Sequence, residues 1–268
     1  MLTQFSSAER KVADYVLDHP SETIRRSTEE LAGTCDVSQA SIIRFCQKLG
    51  YTGIKELKIF LAQEIGSLVP QLLTDPRKLT EIDYVHQVLA QTVEAIQRTV
   101  ARVDDDMLHR AIDAIAGARI VDIYGAGESL VVGEHLQIKL RRLGIIANIY
   151  PNPHMQAISS ASLREGDVAI GISFSGCTQD TVDAMEFAVA SGATTIAITN
   201  FPEFPLAEKA EIVLETDAVE TVLPTGAISS RLAQHLVVDL IFTGLLVTHG
   251  ERFRDAYEFY SNVITKKL

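Results

Sequence analysis

From residue 119 onward, five short runs rich in β-branched residues (RIVDIY, GIIANIY, DVAIGIS, TTIAIT and EIVLET) are separated by stretches of helical periodicity. Strands that alternate with helices in this way line up in parallel, and the helices cover the sheet. The C-terminal part of the chain is therefore expected to be an α/β domain with a parallel sheet flanked by helices. Ligands of such sheets bind beyond the C-terminal strand ends. Two of the loops there are unusual: Gly125-Ala126-Gly127-Glu128-Ser129 after the first run, and Ser173-Phe174-Ser175-Gly176-Cys177-Thr178 after the third.

The first loop is not a dinucleotide fingerprint. Position 130 is Leu where a third glycine is required, and Asn148 and Asn152 stand where an acidic ribose contact belongs. No nicotinamide or other cofactor is expected. The second loop suits a phosphate: the hydroxyls of Ser173, Ser175 and Thr178, with backbone N–H groups of a Gly-containing turn before a helix, donate to an anion without a lysine. The same residues, taken alone, also make a Ser-rich helix cap.

The first 65 residues are of another kind. Ser6 precedes Glu9 by three, and Ser27 precedes Glu30 by three, each ahead of an apolar-periodic run, so both pairs are expected to start helices as capping boxes. The first helix should cover about residues 7–18 and stop near Pro20, and the second should begin after Ser27. Ser38 opens a third, in which Ile42, Phe45, Cys46 and Leu49 share one buried face. Only Cys35, Asp36 and Val37 separate the second helix from the third, the spacing of a helix-turn-helix. The third helix should then present Gln39, Ala40, Ser41, Arg44, Gln47 and Lys48 outward. Arg44 suits a guanine edge and Gln39 an adenine, while the Ser38 and Ser41 hydroxyls reach phosphates. Lys55 and Lys58, after a break at residues 50–53, begin a fourth helix and can hold flanking backbone. The alternative for the third helix is an ordinary solvated face, and each lysine taken singly is a surface lysine.

Charge supports the division. The formal net charge is −11, but residues 1–65 hold 8 Lys and Arg against 9 Asp and Glu, so the acidity lies in the remainder. A near-neutral head on an acidic body would limit indiscriminate adhesion to DNA. Cys35, Cys46 and Cys177 are too few and too far apart for a disulfide framework or a metal site. No metal is expected, nor a secretory signal in MLTQFSSAERKVADYV, so the expected location is the cytoplasm. The apolar stretch 227–247 carries Arg231, His235 and Asp239 four residues apart, which argues for a buried helix and against a membrane span.

Residues 6–65, and above all VSQASIIRFCQKLGYTGIKELKIFLAQEI from Val37, resemble the N-terminal domain of RpiR-type regulators. In that family a Ser-led recognition helix carries an Arg-Phe pair and ends in Leu-Gly, followed by an aromatic and a second glycine; here these are Ser38, Arg44-Phe45, Leu49-Gly50, Tyr51 and Gly53. About residues 105–250 resemble the SIS (sugar isomerase) domain, which binds phosphosugars in isomerases and in RpiR-type regulators. The resemblance implies that Ser173, Ser175, Gly176 and Thr178 hold the phosphate, with Gly127 and Ser129 of the first loop in the same pocket. It also puts Glu220 where a sugar-contacting acid sits, with three roles open: a base, a ligand contact or a surface carboxylate. Ser230-Arg231 resembles the regulators of hexose catabolism, and Arg231 either contacts an acidic sugar or pairs with a nearby acid.

The expected organisation is a helix-turn-helix domain with linker over residues 1–76 and a SIS domain over 77–268. Pro70 and Pro76 bracket the linker, and beyond it Ile82, Val85, Leu89, Ile96, Val100 and Val103 make a long apolar stripe for intramolecular or dimer packing. The expected function is a transcriptional regulator of carbohydrate metabolism that binds double-stranded operator DNA as a dimer or dimer of dimers. A phosphorylated sugar modulates it, and no catalytic residue is assigned. The rival is a SIS-type phosphosugar isomerase with Glu220 as base, although the seven histidines show no catalytic cluster along the chain.

Overall fold

The computed structural model describes residues 5–67, 81–219 and 228–265. They divide into a helical unit within 5–67 and a sheet unit within 81–265. The expected linker, the boundary at residue 76, and Glu220 lie outside the described residues.

The helical unit is built from α1 (Ser7–Asp18), α2 (Pro20–Arg25), α3 (Thr28–Cys35), α4 (Gln39–Lys48) and α5 (Ile54–Ser67). Both capping boxes form: the Ser6 N–H donates to Glu9 Oε2 at 2.7 Å and the Ser27 N–H donates to Glu30 Oε2 at 2.7 Å. The short α2 departs from the sequence pattern, which puts at Pro20 only the end of α1. A proline lacks the N–H that a first helical residue leaves unpaired, so here it opens a helix. Val12, Val16, Leu31, Ile42, Phe45 and Leu57 meet in the core. Leu49 does not join them: α4 ends at Lys48, and Leu49, its C-cap, is exposed.

The sheet unit begins with α6 (Glu81–Arg102) and α7 (Asp105–Gly117). Five strands follow where the five β-rich runs lie: β1 (Val121–Gly125), β2 (Ala147–Ile149), β3 (Val168–Ser173), β4 (Thr194–Thr199) and β5 (Ile212–Glu215). Every pairing is parallel, in the order β2-β1-β3-β4-β5. Alternate residues face opposite ways. Ile123, Ile170 and Ile196 pack under α7, α8 (Glu128–Arg142) and α12 (Ile228–Thr265). Tyr124, Ala169 and Ala197 pack on the other side with α10 (Gln179–Ala190) and α11 (Pro205–Glu208), next to α9 (Pro153–Ala161).

The helix α12 is long and apolar enough by composition to cross a membrane. It is nonetheless a core element, since Val237, Val238, Ile241 and Leu245 are buried against the sheet. Along α6, Ala95 and Thr99 are buried, whereas Val85, Leu89, Val93, Ile96 and Val100 remain exposed.

The strand order positions the ligand site. Chain direction across the sheet reverses between β1 and β3, since β1 leads to β2 on one side and β3 to β4 on the other. A crevice opens at such a switch point beyond the strand ends. Gly125 stands in register with Ile172, so the two loops singled out in the sequence leave the sheet side by side.

Candidate functional site

In the helical unit α3 and α4 meet across a turn that depends on Asp36. Its φ of 51° is left-handed, a conformation Asp tolerates better than most residues. Lys11 Nζ holds the Asp36 carboxylate at 2.9 Å and so fixes the turn from α1. Ser38 caps α4, its Oγ accepting from the Ser41 N–H at 3.2 Å.

With Ile42, Phe45 and Cys46 buried, Gln39, Ala40, Arg44 and Gln47 stand exposed on the other side of α4. Ile43, which the sequence reading passed over, is exposed among them.

Two residues depart from expectation. Ser41 is only 4% exposed and does not face outward. Its hydroxyl lies 2.9 Å from that of Ser38 and accepts from Arg44 Nη2 at 3.1 Å, so it braces the guanidinium from beneath. Lys48 is exposed along its stem, but its Nζ sits 2.6 Å from Glu9 Oε2. That carboxylate is buried, and hydrogen bonding from Lys48 and from the Ser6 N–H holds its pKa down at about 2. Lys48 therefore ties α4 to α1, a role that a contact 39 residues away imposes. Lys55 is exposed on α5, while Lys58 Nζ donates to the Arg26 carbonyl at 2.6 Å.

In the sheet unit the loop at 173–178 closes on itself. The Gly176 N–H donates to Ser173 Oγ at 3.1 Å, the Cys177 N–H donates to Ser175 Oγ at 3.2 Å, and the Ser173 and Thr178 hydroxyls lie 2.9 Å apart. A hydroxyl oxygen that accepts from a backbone N–H keeps its own proton to donate, so the loop orients hydroxyl donors while holding its shape. Gly176 turns with a φ of 66°, and a Cβ there would meet Thr199 Oγ1 at 3.0 Å. Thr178 is the N-cap of α10 and makes no side-chain cap bond. The positive end of that helix stands over the loop, which contains no Lys or Arg.

The adjoining loop opens α8 at Gly127, whose φ of 56° and ψ of −129° glycine alone adopts readily. Ser129, buried in the first turn, lies 3.4 Å from Gln234 Oε1 on α12. Arg231, one turn before Gln234, pairs with Glu128 at 2.8 Å. The structure thus gathers Gly127, Ser129 and Arg231 around one loop and Ser173, Ser175, Gly176 and Thr178 in its neighbour.

Residues 1–67 match the helix-turn-helix domain of the rpiR family, and residues 114–244 match the SIS domain. Over 263 residues the chain is 36% identical to an HTH-type transcriptional regulator of Caldanaerobacter subterraneus subsp. tengcongensis, covering 98% of this chain and 92% of that one. It is an RpiR-family transcriptional regulator.

The regulator is also 33% identical over 259 residues to the bifunctional protein glk of Paraburkholderia xenovorans, where the match covers 96% of this chain but 40% of the longer protein. Among solved structures, Vibrio vulnificus NanR complexed with ManNAc-6P is 25% identical, with a TM-score of 0.73 over 100% of this chain and 96% of that one. The sugar isomerase domain of an RpiR transcription factor from Sphaerobacter thermophilus is 27% identical, with a TM-score of 0.61 over 66% of this chain and 98% of that one. These likenesses give a regulator, and not the rival isomerase.

Two features of the regulator's sheet unit escaped sequence reasoning. Gln234 is a buried amide in an apolar helix, and its spacing from Arg231 was the available signal. His135 on α8 and His235 on α12 bring their Nδ1 atoms to 2.9 Å, although no cluster was visible along the chain. His235 follows Gln234 and stands one turn beyond Arg231 on α12. Among the described residues no group of three or more His, Cys, Asp or Glu is disposed to hold a metal ion. Burial pushes the Cys46 thiol up to about 11 and the Cys177 thiol to about 12, which suits packing more than reactivity.

Proposed function

We propose that this RpiR-family regulator binds an inverted-repeat operator through α4 and that a phosphorylated sugar, held at the two loops over β1 and β3, changes its affinity for that operator. The observation that carries the reading is the pairing of these loops at the switch point of the sheet. Hydroxyls of Ser173, Ser175 and Thr178 and the N-terminus of α10 supply donors to the phosphate, and Gly127 and Ser129 line the neighbouring side. Glu220 and Arg231 are assigned to the sugar end, where release of Arg231 from Glu128 would answer an acidic sugar. The binding of ManNAc-6P by NanR supports a phosphosugar as the class of ligand. At the operator, Gln39, Arg44 and Gln47 are assigned to bases, and Ser38, Ser41, Lys48 and Lys55 to the backbone or to positioning the helix.

The regulator acts in the cytoplasm as a homodimer or dimer of dimers, with residues 1–76 as the DNA-binding part and 77–268 as the sensing part. A two-fold operator calls for a two-fold protein, and the apolar stripe left exposed along α6 supports self-association. The test is a gel shift with the DNA upstream of the regulator's own gene, repeated with a panel of phosphosugars. Retardation that one phosphosugar changes at least fivefold in apparent affinity is expected. Retardation indifferent to every phosphosugar would end the sensing half of the proposal, and no retardation the other half.

A further inference from the structure

The recognition helix carries an apolar residue in the middle of its polar face. Ile43 follows Gln39 by four residues and precedes Gln47 by four, so it lies on the same stripe of α4, with Ala40 and Arg44 beside it. It is 42% exposed. The fold does not require it, because Ile42, Phe45 and Cys46 already fill the core beneath α4. Single exposed apolar residues are ordinary on a protein surface, and Leu17 and Phe60 are others in this unit, on α1 and α5. Ile43 differs in its place, for its neighbours on the face are side chains suited to base edges.

We propose that Ile43 reads thymine, through its 5-methyl group, at a base pair beside the one read by Arg44. The major groove offers hydrogen-bonding groups at every base pair but only one apolar feature, the thymine methyl. An isoleucine can neither donate nor accept a hydrogen bond, so against any other base it leaves polar edges desolvated and unpaired. Ala40, one turn before it, adds a second small apolar contact without blocking approach. The inference rests on the reading of α4 as the DNA-contacting helix and goes beyond it by naming a base that no hydrogen-bonding residue of the face selects.

The test begins by selecting a binding sequence from a random duplex pool with the full-length protein. Each thymine in turn is then replaced by deoxyuridine, which removes the methyl and keeps every hydrogen bond. For the wild type, one or two positions per half-site should weaken binding about fourfold, the worth of one buried methyl. Ile43→Ala should bind the unmodified site more weakly by a similar factor and be indifferent to deoxyuridine at those positions. Ile43→Val should keep part of the response. Unchanged thermal melting of both variants checks that the fold is intact, as exposure of the side chain requires. A deoxyuridine profile of Ile43→Ala identical to that of the wild type overturns the assignment while leaving operator binding in place. Failure of the pool to yield any preferred sequence overturns operator recognition itself and the thymine assignment with it.

Discussion

In the helical unit the side chains assigned to bases, Gln39, Arg44 and Gln47, stand exposed on the open face of α4 and take little part in holding the unit together. In the sheet unit the loop side chains assigned to the sugar are partly buried and bonded within the loop, so on that assignment the atoms that shape the loop are also those offered to the ligand. Arg44 leans on one hydroxyl and is otherwise exposed, whereas Ser173 is buried and bonded to both Gly176 and Thr178. A duplex is a wide partner that a helix face meets without enclosing it. A phosphosugar is small, and donors must converge on it from a backbone that is already fixed. Function and stability should therefore separate on mutation in one unit and remain joined in the other.

The largest effect expected is at Arg44. Arg44→Ala should lose about 1–3 kcal/mol of discrimination between operator and unrelated DNA, with thermal unfolding unchanged, measured by competition binding and calorimetry. A variant that unfolds early would break the contrast, and one with full selectivity would remove Arg44 from base reading. The next effect is at the sugar loop. Ser173→Ala removes the hydroxyl bonded to both the Gly176 N–H and Thr178, leaves that N–H only its 3.2 Å bond to the Ser173 carbonyl, and should destabilise the sheet unit by about 1 kcal/mol while weakening phosphosugar binding. Ser175→Ala, from a more open position, should weaken the response to sugar with little loss of stability. Equal stability losses in the two variants would show that the loop does not divide its labour in this way.

The two units were also unequally legible in the sequence. Capping boxes, the short turn at Asp36 and the five β-rich runs are local features, and each stands where its pattern put it. Ser41 was misjudged although its spacing was informative, for it stands four residues before Phe45 and so on the inward side of α4. The engagement of Lys48 by Glu9 spans 39 residues and that of His135 by His235 spans 100, and no periodicity reports such contacts. The strand order is likewise a long-range outcome. The two loops were each visible in the sequence, but their adjacency follows from β1 pairing with β3.

A further contrast concerns acid. In the helical unit Glu9 has its pKa lowered to about 2 by its bonds to Lys48 and the Ser6 backbone. The stabilisation it gives is complete above the ordinary glutamate range near 4.5 and is lost as pH falls from there toward 2. Glu9→Gln should flatten that acid response in circular dichroism between pH 5 and 2 and loosen the tie between α1 and α4. An unchanged acid transition would mean that the ion pair contributes nothing to it.

The sheet unit should respond to acid earlier and more weakly, through His135 and His235. Burial lowers the pKa of both imidazoles; Lys139 and Arg142 lower it further at His135, and His135, Arg231 and Lys139 at His235, with Asp239 opposing at both. Their Nδ1 atoms stand 2.9 Å apart, so one ring must present a lone pair to the other; a fully protonated pair has no acceptor and would set two N–H groups against each other. In the unfolded chain both rings take up protons near pH 6.5, before the folded pair does. Stability is then complete above about pH 6.5 and falls as pH drops from there toward the lowered folded values. The helical unit's described residues include one histidine, His19, so most of a difference between wild type and His135→Phe/His235→Leu across pH 7 to 5 reports on the pair. Calorimetry should find the wild-type midpoint falling with acid and the double variant's falling less. Parallel curves for the two proteins would mean that the pair is uncoupled from folding, and the acid response would then rest on the carboxylates whose pKa the fold lowers, Glu9 the furthest.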